Sequence, residues 1–483
     1  MNGILVKNLV DGEFREAHTS TVIDVLDPAT RGDVVARVPA MDAEDLEAVF
    51  AAAERGARTW KAVGPLARGR ILFTAANLIR SESAELVDVI VSEMGKTRAE
   101  ATGEVGKAAE FFEYYGGMGR LPFGGLLPDA RPNTFAMQTS EPVGVVLLIT
   151  PWNDPLLTPA RKLAPALIAG NSVVIKPATE TPVIALRLAE ILNRAGLPAG
   201  VLGTVTGRGS EIGDILSADR RIAAVSFTGS TSVGKDLQRR LAGSGVRVQT
   251  EMGGKNAAVV LDDADLDLAV PTIVAGAYAQ AGQRCTATSR LIVQRGVAEE
   301  LSRRVAAAVA GLRVGAGASD EVDMGPVVSF SAQKDVRERV SAGISEGATV
   351  IARSPLGAKE QEAGAFVEPI FLDVNRDNSL WKEEVFGPVL GMLIVDDLGQ
   401  AIEAVNDSTY GLSSAIFTKS LDAAYQFIAG VDTGQVSVNQ PTSGWDVHQP
   451  FGGFKDSGSA FKEQGFEALN FYTRVKTAAI RTA

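Results

Sequence analysis

Short apolar runs alternate with helical segments in the middle of the chain, and this alternation constrains the fold more than any other feature of the sequence. Strands that are apolar along their whole length indicate a parallel sheet that is buried on both faces. The pattern therefore predicts a doubly wound, dinucleotide-binding sheet. The strand-like runs are 143–149, 173–175, 201–205 and 223–227, and helical segments occupy about 158–167 and 182–195.

A second pattern of the same kind follows, with strand-like runs at 257–261, 291–293, 390–395 and 414–417 and a helical segment at 297–311. We therefore predict an α/β protein with two doubly wound parallel-sheet domains. Before them, Ala, Leu, Ile and Val recur at helical spacing over 42–61 and 66–94, which predicts two amphipathic helices.

Two polar segments fit neither sheet: 119–137, which contains glycines, and 470–483, at the end of the sequence. We expect them to form paired strands that contact another subunit. This small β oligomerisation element would make the protein a homodimer or homotetramer. The rest of the chain divides into a dinucleotide-binding domain, 1–118 with 138–252, and a second domain, 253–440, that carries the only cysteine.

Composition excludes several classes of protein. The net charge of -11, without a basic block, argues against nucleic acid as a partner. One cysteine and two histidines exclude an intramolecular disulfide and a multi-cysteine metal site, so we predict no metal. No apolar run reaches eighteen residues and the first fourteen residues carry charges, which predicts a cytoplasmic protein with no signal peptide and no membrane contact.

The segment 227–234 (FTGSTSVG) follows a strand-like run and leads into a helix. Its glycines permit close approach of the backbone, and free N–H groups at the start of a helix suit a pyrophosphate. The segment lacks the G-x-G-x-x-G spacing, so a glycine-rich turn that binds nothing remains an alternative.

Six further segments make the pattern specific. They are 149–155 (ITPWNDP), 174–177 (VIKP), 251–256 (EMGGKN), 282–286 (GQRCT), 383–388 (EEVFGP) and 450–453 (PFGG). In this order and spacing, the chain resembles the aldehyde dehydrogenase superfamily from about residue 8 to 477. The resemblance implies an NAD(P)-dependent enzyme that oxidises an aldehyde to a carboxylic acid, with 253–440 as its catalytic domain.

The resemblance assigns four residues to catalysis. Cys285 is the implied nucleophile, which forms a thiohemiacetal and then a thioester. The Asn153 amide and the Cys285 backbone N–H are the implied oxyanion donors. Glu251 is the implied general base for thioester hydrolysis, and its presence favours release of a free acid over transfer to coenzyme A. Glu463 matches a second family carboxylate that relays protons, and a glutamate on a helix surface is the alternative.

The resemblance also implies a nicotinamide dinucleotide site. Lys176 corresponds to the residue that reaches the adenosine ribose, Glu384 to the one that holds the nicotinamide ribose, Ser230 to a pyrophosphate contact and Phe386 to a neighbour of the nicotinamide. The other residues assigned to the cofactor are Ile149, Thr150, Trp152, Thr179, Gly209, Gly213, Phe227, Gly229 and Val233.

Thr179 departs from the family pattern. Members that prefer NAD usually place Glu three residues after the lysine, where it repels a 2′-phosphate, whereas this chain has Thr179 there and Glu180 one residue later. Removal of that charge should admit NADP. We therefore expect NADP as the cofactor, or use of both NADP and NAD.

Polar residues stand where family members that oxidise apolar aldehydes have aromatic ones. Those assigned to the substrate are Asp154, Arg161, Arg284, Trp445, His448 and Phe451. Arg161 or Arg284 could bind a substrate carboxylate through a bidentate pair. The alternative is that Asp154 and Arg161 pair with each other on the first two turns of one helix.

The segments 282–290, 451–458, 463–465 and 471–477 resemble the 2-oxoglutarate-semialdehyde dehydrogenase branch. This predicts a polar or carboxylated aldehyde as the substrate. Within that class, succinic semialdehyde remains an alternative to the substrate of this branch. A hydroxylated sugar-type aldehyde is a further alternative, as is an inactive structural or binding protein with this fold. Retention of Cys285, Asn153 and Glu251 argues against an inactive protein.

Overall fold

A five-stranded parallel sheet organises the first half of the chain in the computed structural model, which describes residues 3–121 and 123–482. From one edge to the other, its strands are β10 (Leu202–Thr204), β9 (Ser172–Lys176), β8 (Val145–Ile149), β11 (Ile222–Thr228) and β12 (Arg247–Glu251). Its helices are α5 (Leu157–Ala169), α6 (Val183–Arg194), α7 (Gly209–Ser217) and α8 (Thr231–Leu241).

Both faces of this sheet are buried, as its apolar strands predict. In β8, Val146 and Leu148 pack into one hydrophobic cluster, whereas Val145 and Leu147 pack into another on the opposite face. Successive side chains of a strand point to opposite faces, so an uninterrupted run of Val, Leu and Ile is stable only between two layers.

A seven-stranded sheet organises the second half of the chain, and only its edge strand β15 is antiparallel to its neighbour. The strand order is β15 (Thr349–Arg353), β16 (Ile370–Asp373), β17 (Val389–Val395), β14 (Thr288–Gln294), β13 (Asn256–Val260), β19 (Ser413–Phe417) and β20 (Gln435–Val438). The helices of this half are α9 (Leu266–Tyr278), α10 (Ala298–Ala310), α11 (Phe330–Ser345), α12 (Ala358–Ala363), α13 (Ser379–Lys382), α14 (Leu398–Asn406) and α15 (Leu421–Gly430). The two sheets confirm the predicted fold class; the predicted domain boundaries remain a prediction.

The helices at the start of the chain correct one expectation. They are α1 (Ala43–Ala62), α2 (Pro65–Ser81), α3 (Ser83–Met94) and α4 (Arg98–Gly117). The single helix predicted over 66–94 is wrong, because Glu82 leaves the helical conformation and separates α2 from α3. Ser81 and Ser83 flank this residue, and serine hydroxyls compete with the backbone for hydrogen bonds inside a helix.

A three-stranded antiparallel sheet is separate from the two large sheets, with which it shares no strand. Its order is β22 (Thr473–Arg481), β7 (Thr134–Pro142) and β6 (Gly124–Leu127). The register runs from Thr473 opposite Pro142 to Arg481 opposite Thr134. The two segments expected to pair therefore do so over 134–137, and β7 continues to Pro142, beyond the predicted end at 137. The subunit contact assigned to them remains a prediction.

The remaining elements are short. They are β1 (Ile4–Leu5), β2 (Asn8–Val10), β3 (Glu13–Arg15), β4 (Val22–Leu26), β5 (Val34–Pro39), β18 (Tyr410–Gly411), β21 (Phe454–Lys455), α16 (Ala468–Tyr472) and the 3₁₀ turns Met118–Arg120, Ala279–Gly282 and Arg295–Val297.

Two buried carboxylates from the N-terminal helices cap helices of the first sheet. Glu93 of α3 accepts hydrogen bonds from the backbone N–H groups of Val183 and Ile184, at 2.9 and 3.0 Å. Glu104 of α4 accepts from those of Leu156 and Leu157, at 2.8 and 2.9 Å. Neither α5 nor α6 has a capping side chain of its own, so the distant carboxylates satisfy N–H groups that a helix leaves unpaired at its start.

Candidate active site

Cys285 follows a strained turn between α9 and β14. Gln280 and Ala281 both adopt the left-handed conformation, with φ of 55° and 54°. This conformation costs about 1–2 kcal/mol for each residue with a side chain. Gly282 continues the turn, and a Cβ there would lie 2.1 Å from the carbonyl oxygen of Gly387. Strain of this kind persists only where packing fixes the backbone, and it concentrates at functional sites.

One cavity of about 260 Å³ reaches Cys285 from the side of the first sheet. We call it the Glu384 cavity, and its walls include Trp152, Asn153, Gly229, Ser230, Glu384 and Phe386. A second cavity of about 350 Å³ reaches the same residue and is called the Arg284 cavity. Its walls include Lys107, Gln280, Arg284, Trp445, Phe451 and Gln464.

Cys285, Asp154 and Arg161 line both cavities. The two cavities therefore meet at the thiol. A reaction between two ligands at Cys285 requires such an arrangement. Burial raises the pKa of the Cys285 thiol to about 12, against the opposing effect of the Arg161 charge. The thiol is thus protonated at neutral pH in the absence of ligands, and attack on a substrate requires transfer of its proton to a base.

Asn153 lies in the loop after β8 and is 5% exposed. It lines the Glu384 cavity together with Cys285, and its side-chain amide makes no hydrogen bond to another residue that the structure describes. An amide donor without a partner beside a nucleophile is suited to stabilise an oxyanion.

Glu251 ends β12 and is buried, but it is not among the residues that line either cavity, whereas the adjacent Met252 is. Its carboxylate accepts hydrogen bonds from the Gln249 side-chain amide at 3.1 Å and from the Gly453 N–H at 3.3 Å. Burial raises the pKa of Glu251 well above its usual range, and the charge of Glu463 adds to this rise.

Glu463 is buried, so the alternative of a helix-surface glutamate is wrong. It accepts a hydrogen bond from the Thr228 hydroxyl at 2.9 Å, and it forms ion pairs with Arg161 at 2.9 Å and with Lys162. Burial acts to raise the pKa of Glu463, but the charges of Arg161 and Lys162 outweigh it and lower this pKa.

The alternative pairing of Asp154 with Arg161 is also wrong. Asp154 precedes α5, where its Oδ1 pairs with the Nζ of Lys96 at 2.7 Å. Arg161 pairs with Glu463 and lies over the Phe451 ring, with 4.8 Å between its guanidinium carbon and the ring centroid. Lys162 was not predicted from the sequence, although two adjacent cations in the mostly apolar α5 were an available signal.

Several of the predicted cofactor residues lie at the carboxyl ends of the first sheet or in the Glu384 cavity. The Glu384 carboxylate accepts a hydrogen bond from the Gly254 N–H at 2.9 Å, and burial raises its pKa to about 7. The Trp152 and Phe386 rings meet edge to face, with centroids 5.3 Å apart. Lys176 ends β9, is buried, and donates to the Pro177 carbonyl at 3.2 Å.

The start of α8 fits a pyrophosphate. Ser230 caps this helix without a side-chain hydrogen bond, which leaves the first backbone N–H groups unpaired by a cap. Gly229 cannot carry a side chain without a shift, because a Cβ would lie 2.7 Å from the Phe227 ring. Ser230 and Gly229 line the same cavity as Glu384, so the residues present fit a dinucleotide.

The other predicted residues are distributed unevenly. Ile149 ends β8 and Thr150 follows it, whereas Val233 is exposed on α8. Gly209 and Gly213 lie on α7 and line neither cavity. They are close to Thr179, whose hydroxyl donates to the Gly207 carbonyl at 3.4 Å.

The predicted substrate residue His448 is not brought to the site. It is exposed, pairs with Asp446 at 3.4 Å and lines neither cavity.

A profile of the aldehyde dehydrogenase family matches residues 14–478. The chain belongs to this family. It is 37% identical to an alpha-ketoglutaric semialdehyde dehydrogenase of Bacillus subtilis, over 98% of each chain. It is 42% identical to a 2,5-dioxopentanoate dehydrogenase of Saccharolobus solfataricus, over 94% of this chain and 95% of the relative.

A solved structure gives the same result. The chain resembles betaine aldehyde dehydrogenase from Staphylococcus aureus in complex with NAD+, with a TM-score of 0.95 and 31% identity over 98% of this chain and 94% of that one. The family and the structure confirm an NAD(P)-dependent aldehyde dehydrogenase with the predicted fold. Within residues 3–121 and 123–482, no helix is long and apolar enough to cross a membrane.

Proposed function

We propose that this aldehyde dehydrogenase oxidises a carboxylated aldehyde, a semialdehyde, to the corresponding acid, with NADP or NAD as hydride acceptor. The names of the two relatives described above, which are semialdehyde dehydrogenases, support a substrate of this class. The observation that carries the proposal is the charge of Arg284 next to the nucleophile.

Among the described cations that line its cavity, Arg284 is the one without an ion pair. Arg161 is paired with Glu463, and Lys107 is paired with Glu110 at 2.9 Å and Asp446 at 2.8 Å. Arg284 makes no ion pair within 4.0 Å among the described residues, and it lines the cavity directly before Cys285. A substrate carboxylate would supply the missing partner in a bidentate pair, which supports Arg284 over Arg161 as the carboxylate-binding residue.

In the proposed mechanism, the Cys285 thiol gives its proton to water as its sulfur attacks the aldehyde carbon, which forms the alkoxide of a thiohemiacetal. The Asn153 amide and the Cys285 backbone N–H donate to the oxygen as it gains charge. A bound nicotinamide dinucleotide would supply a hydride acceptor, and loss of the hydride from the thiohemiacetal carbon would leave a thioester on Cys285. Glu251 then takes a proton from the water that hydrolyses the thioester, and its raised pKa makes it a stronger base in the ionised form.

Glu463 is proposed to exchange protons with this base. It interacts with Glu251 electrostatically, and its contact with Lys162 connects it to the Ser226 hydroxyl, to which Lys162 donates at 2.6 Å. These buried polar groups support a route by which a proton leaves Glu251 without passing through the Arg284 cavity.

For the cofactor, we propose that Lys176 binds the adenosine ribose, Ser230 the pyrophosphate and Glu384 the nicotinamide ribose. Phe386 and Trp152 would flank the nicotinamide. The absence of a carboxylate at Thr179 supports acceptance of NADP as well as NAD.

The substrate proposal is tested by comparing succinic semialdehyde with butanal, which has the same number of carbons and no carboxylate. Arg284→Met should lower kcat/KM for succinic semialdehyde by about 10- to 100-fold, the effect of one lost hydrogen-bonded charge, and leave butanal nearly unchanged. Lys107→Met removes a cation that is already paired and serves as the matched control. Equal losses on both aldehydes, or a wild-type preference for glyceraldehyde, would contradict the proposal.

We also propose that the sheet of β6, β7 and β22 forms a subunit contact in a homodimer or homotetramer. Exposed apolar side chains on this sheet, Leu126, Phe135, Val475 and Ile480, support the proposal, because a patch of this kind is typical of a protein interface. Sedimentation equilibrium measures the state directly, and a monomer at micromolar concentration would contradict the proposal.

A further inference from the structure

Three charged side chains form a buried cluster beside the nucleophile. The Nζ of Lys96 lies 2.6 Å from a carboxylate oxygen of Glu104 and 2.7 Å from one of Asp154. The side chain of Lys96 is 0% exposed and that of Glu104 is 2% exposed. Burial acts to raise the pKa of Asp154, but the charges of Lys96 and Arg284 outweigh it and lower this pKa to about 2. Asp154 is therefore ionised beside Lys96, whereas burial raises the pKa of Glu104, and the buried Lys96 side chain has no contact with solvent.

This cluster holds the loop that carries Asn153 on two sides. Asp154, the next residue, is bound by Lys96. Beyond it, the backbone N–H groups of Leu156 and Leu157 both donate to Glu104, which Lys96 also binds.

The same cluster also holds the turn that leads to Cys285. The side-chain amide of Gln280 donates to Asp154 at 3.2 Å, and its backbone N–H donates to Glu100 at 2.7 Å. Glu100 lies one helical turn before Glu104 on α4. Gln280 is one of the left-handed residues of the strained turn, so these contacts stabilise the backbone at a position where its conformation is unfavourable.

We propose that Lys96 is a positioning residue that, through Asp154 and Glu104, fixes the Asn153 loop against the Cys285 turn, so that both oxyanion donors meet one oxygen atom. Asp154 serves in this role as a link between the two loops. The inference rests on the mechanism proposed above. An oxyanion donor acts only at hydrogen-bond distance from the oxygen, so a small displacement of the loop removes its effect.

A double-mutant cycle with Asn153→Ala tests the proposal. The readout is the rate of cofactor reduction in the first turnover, measured by rapid mixing with butanal, which carries no charge to interact with the cluster. Lys96→Met should lower this rate by about 10- to 100-fold, since loss of one oxyanion donor lowers rates by about 10²–10³. In the Asn153→Ala background, the same substitution should change the rate by less than about twofold, because residues that act as a unit are not additive.

Arg98→Met is the matched control, because Arg98 begins α4 but pairs with Asp88 at the surface. Asp154→Ala provides a second cycle that leaves the pair of Lys96 and Glu104 intact and decides the question if Lys96→Met does not fold. Asp154→Asn should restore most of the rate, because the amide oxygen still accepts from Lys96 and Gln280.

Equal losses in the presence and absence of Asn153 would overturn the positioning role and leave the mechanism standing. An Asn153→Ala variant with the wild-type first-turnover rate would overturn both, so the two failures are distinguishable.

Discussion

Replacement of Thr179 by Glu should shift cofactor preference towards NAD. Thr179 is half-buried, follows the end of β9 by three residues and donates its hydroxyl to the Gly207 carbonyl. Lys176 ends that strand, and burial lowers its pKa while the nearby charge of Glu180 acts to raise it. A carboxylate at position 179 would therefore lie beside the residues proposed to hold the adenosine ribose.

The magnitude follows from Coulomb's law. Two like unit charges about 6 Å apart repel by about 0.7 kcal/mol at a dielectric constant of about 80 and by about 2.8 kcal/mol at about 20. A half-buried site lies between these limits, and about 1.4 kcal/mol corresponds to a tenfold change in an equilibrium or rate ratio. We therefore expect Thr179→Glu to lower the ratio of kcat/KM for NADP to that for NAD by at least about tenfold.

The assay measures kcat/KM for both cofactors on wild type, Thr179→Glu, Thr179→Gln and Glu180→Ala. Thr179→Gln has nearly the size of the glutamate without its charge, and it should change the ratio little. A strong wild-type preference for NAD that Glu180→Ala relaxes would show that the neighbouring carboxylate discriminates. A strong preference for NAD that no variant changes would refute the reasoning for this position.

Two further predictions concern the catalytic residues. Iodoacetamide should abolish activity when one equivalent is incorporated, since Cys285 is the only thiol, and full activity of Cys285→Ala would contradict the mechanism. Glu251→Gln should give a burst of reduced cofactor equal to the enzyme concentration, followed by a slow phase, because the Glu251 carboxylate is proposed to act only in thioester hydrolysis. The wild-type steady-state rate should rise with pH through the raised pKa of Glu251, since only the ionised carboxylate accepts a proton, and the variant should lack this rise. Loss of the burst with cofactor binding retained would place Glu251 in an earlier step.

Local sequence patterns were sufficient to predict the two sheets, whereas the role assigned to Cys285 came from the resemblance of its motif to the family. Strands buried on both faces need continuous apolar runs, and the turn before the nucleophile needs Gly282, so both leave a trace in the sequence. The environment of Glu463 leaves none, because its partner Thr228 is 235 residues away in the chain. The separation of Asp154 from Arg161 could not be predicted either, since it depends on Lys96, 58 residues before Asp154.

Five of the six residues predicted to bind the substrate line the Arg284 cavity, and His448 does not. Arg284 and His448 are both polar residues near family motifs, and sequence alone gives no reason to separate them. The structure separates them because Arg284 adjoins the fixed turn of Cys285, whereas His448 lies on an exposed loop. The ion pairs of these arginines are likewise a property of the folded chain, because Glu463 pairs with Arg161 and not with Arg284.

The carboxylates of Glu93 and Glu104 have a consequence for the order of folding. They supply the first turns of α6 and α5 with acceptors that those helices lack locally. Until α3 and α4 dock, these first turns are satisfied only by water, and the loop that carries Asn153 lacks its contacts with Lys96 and Glu104. A fragment that begins after α4 would therefore contain every strand of the first sheet and still be unable to complete two of its helices. We therefore expect the site around Asn153 to form late in folding, when the N-terminal helices pack on the first sheet.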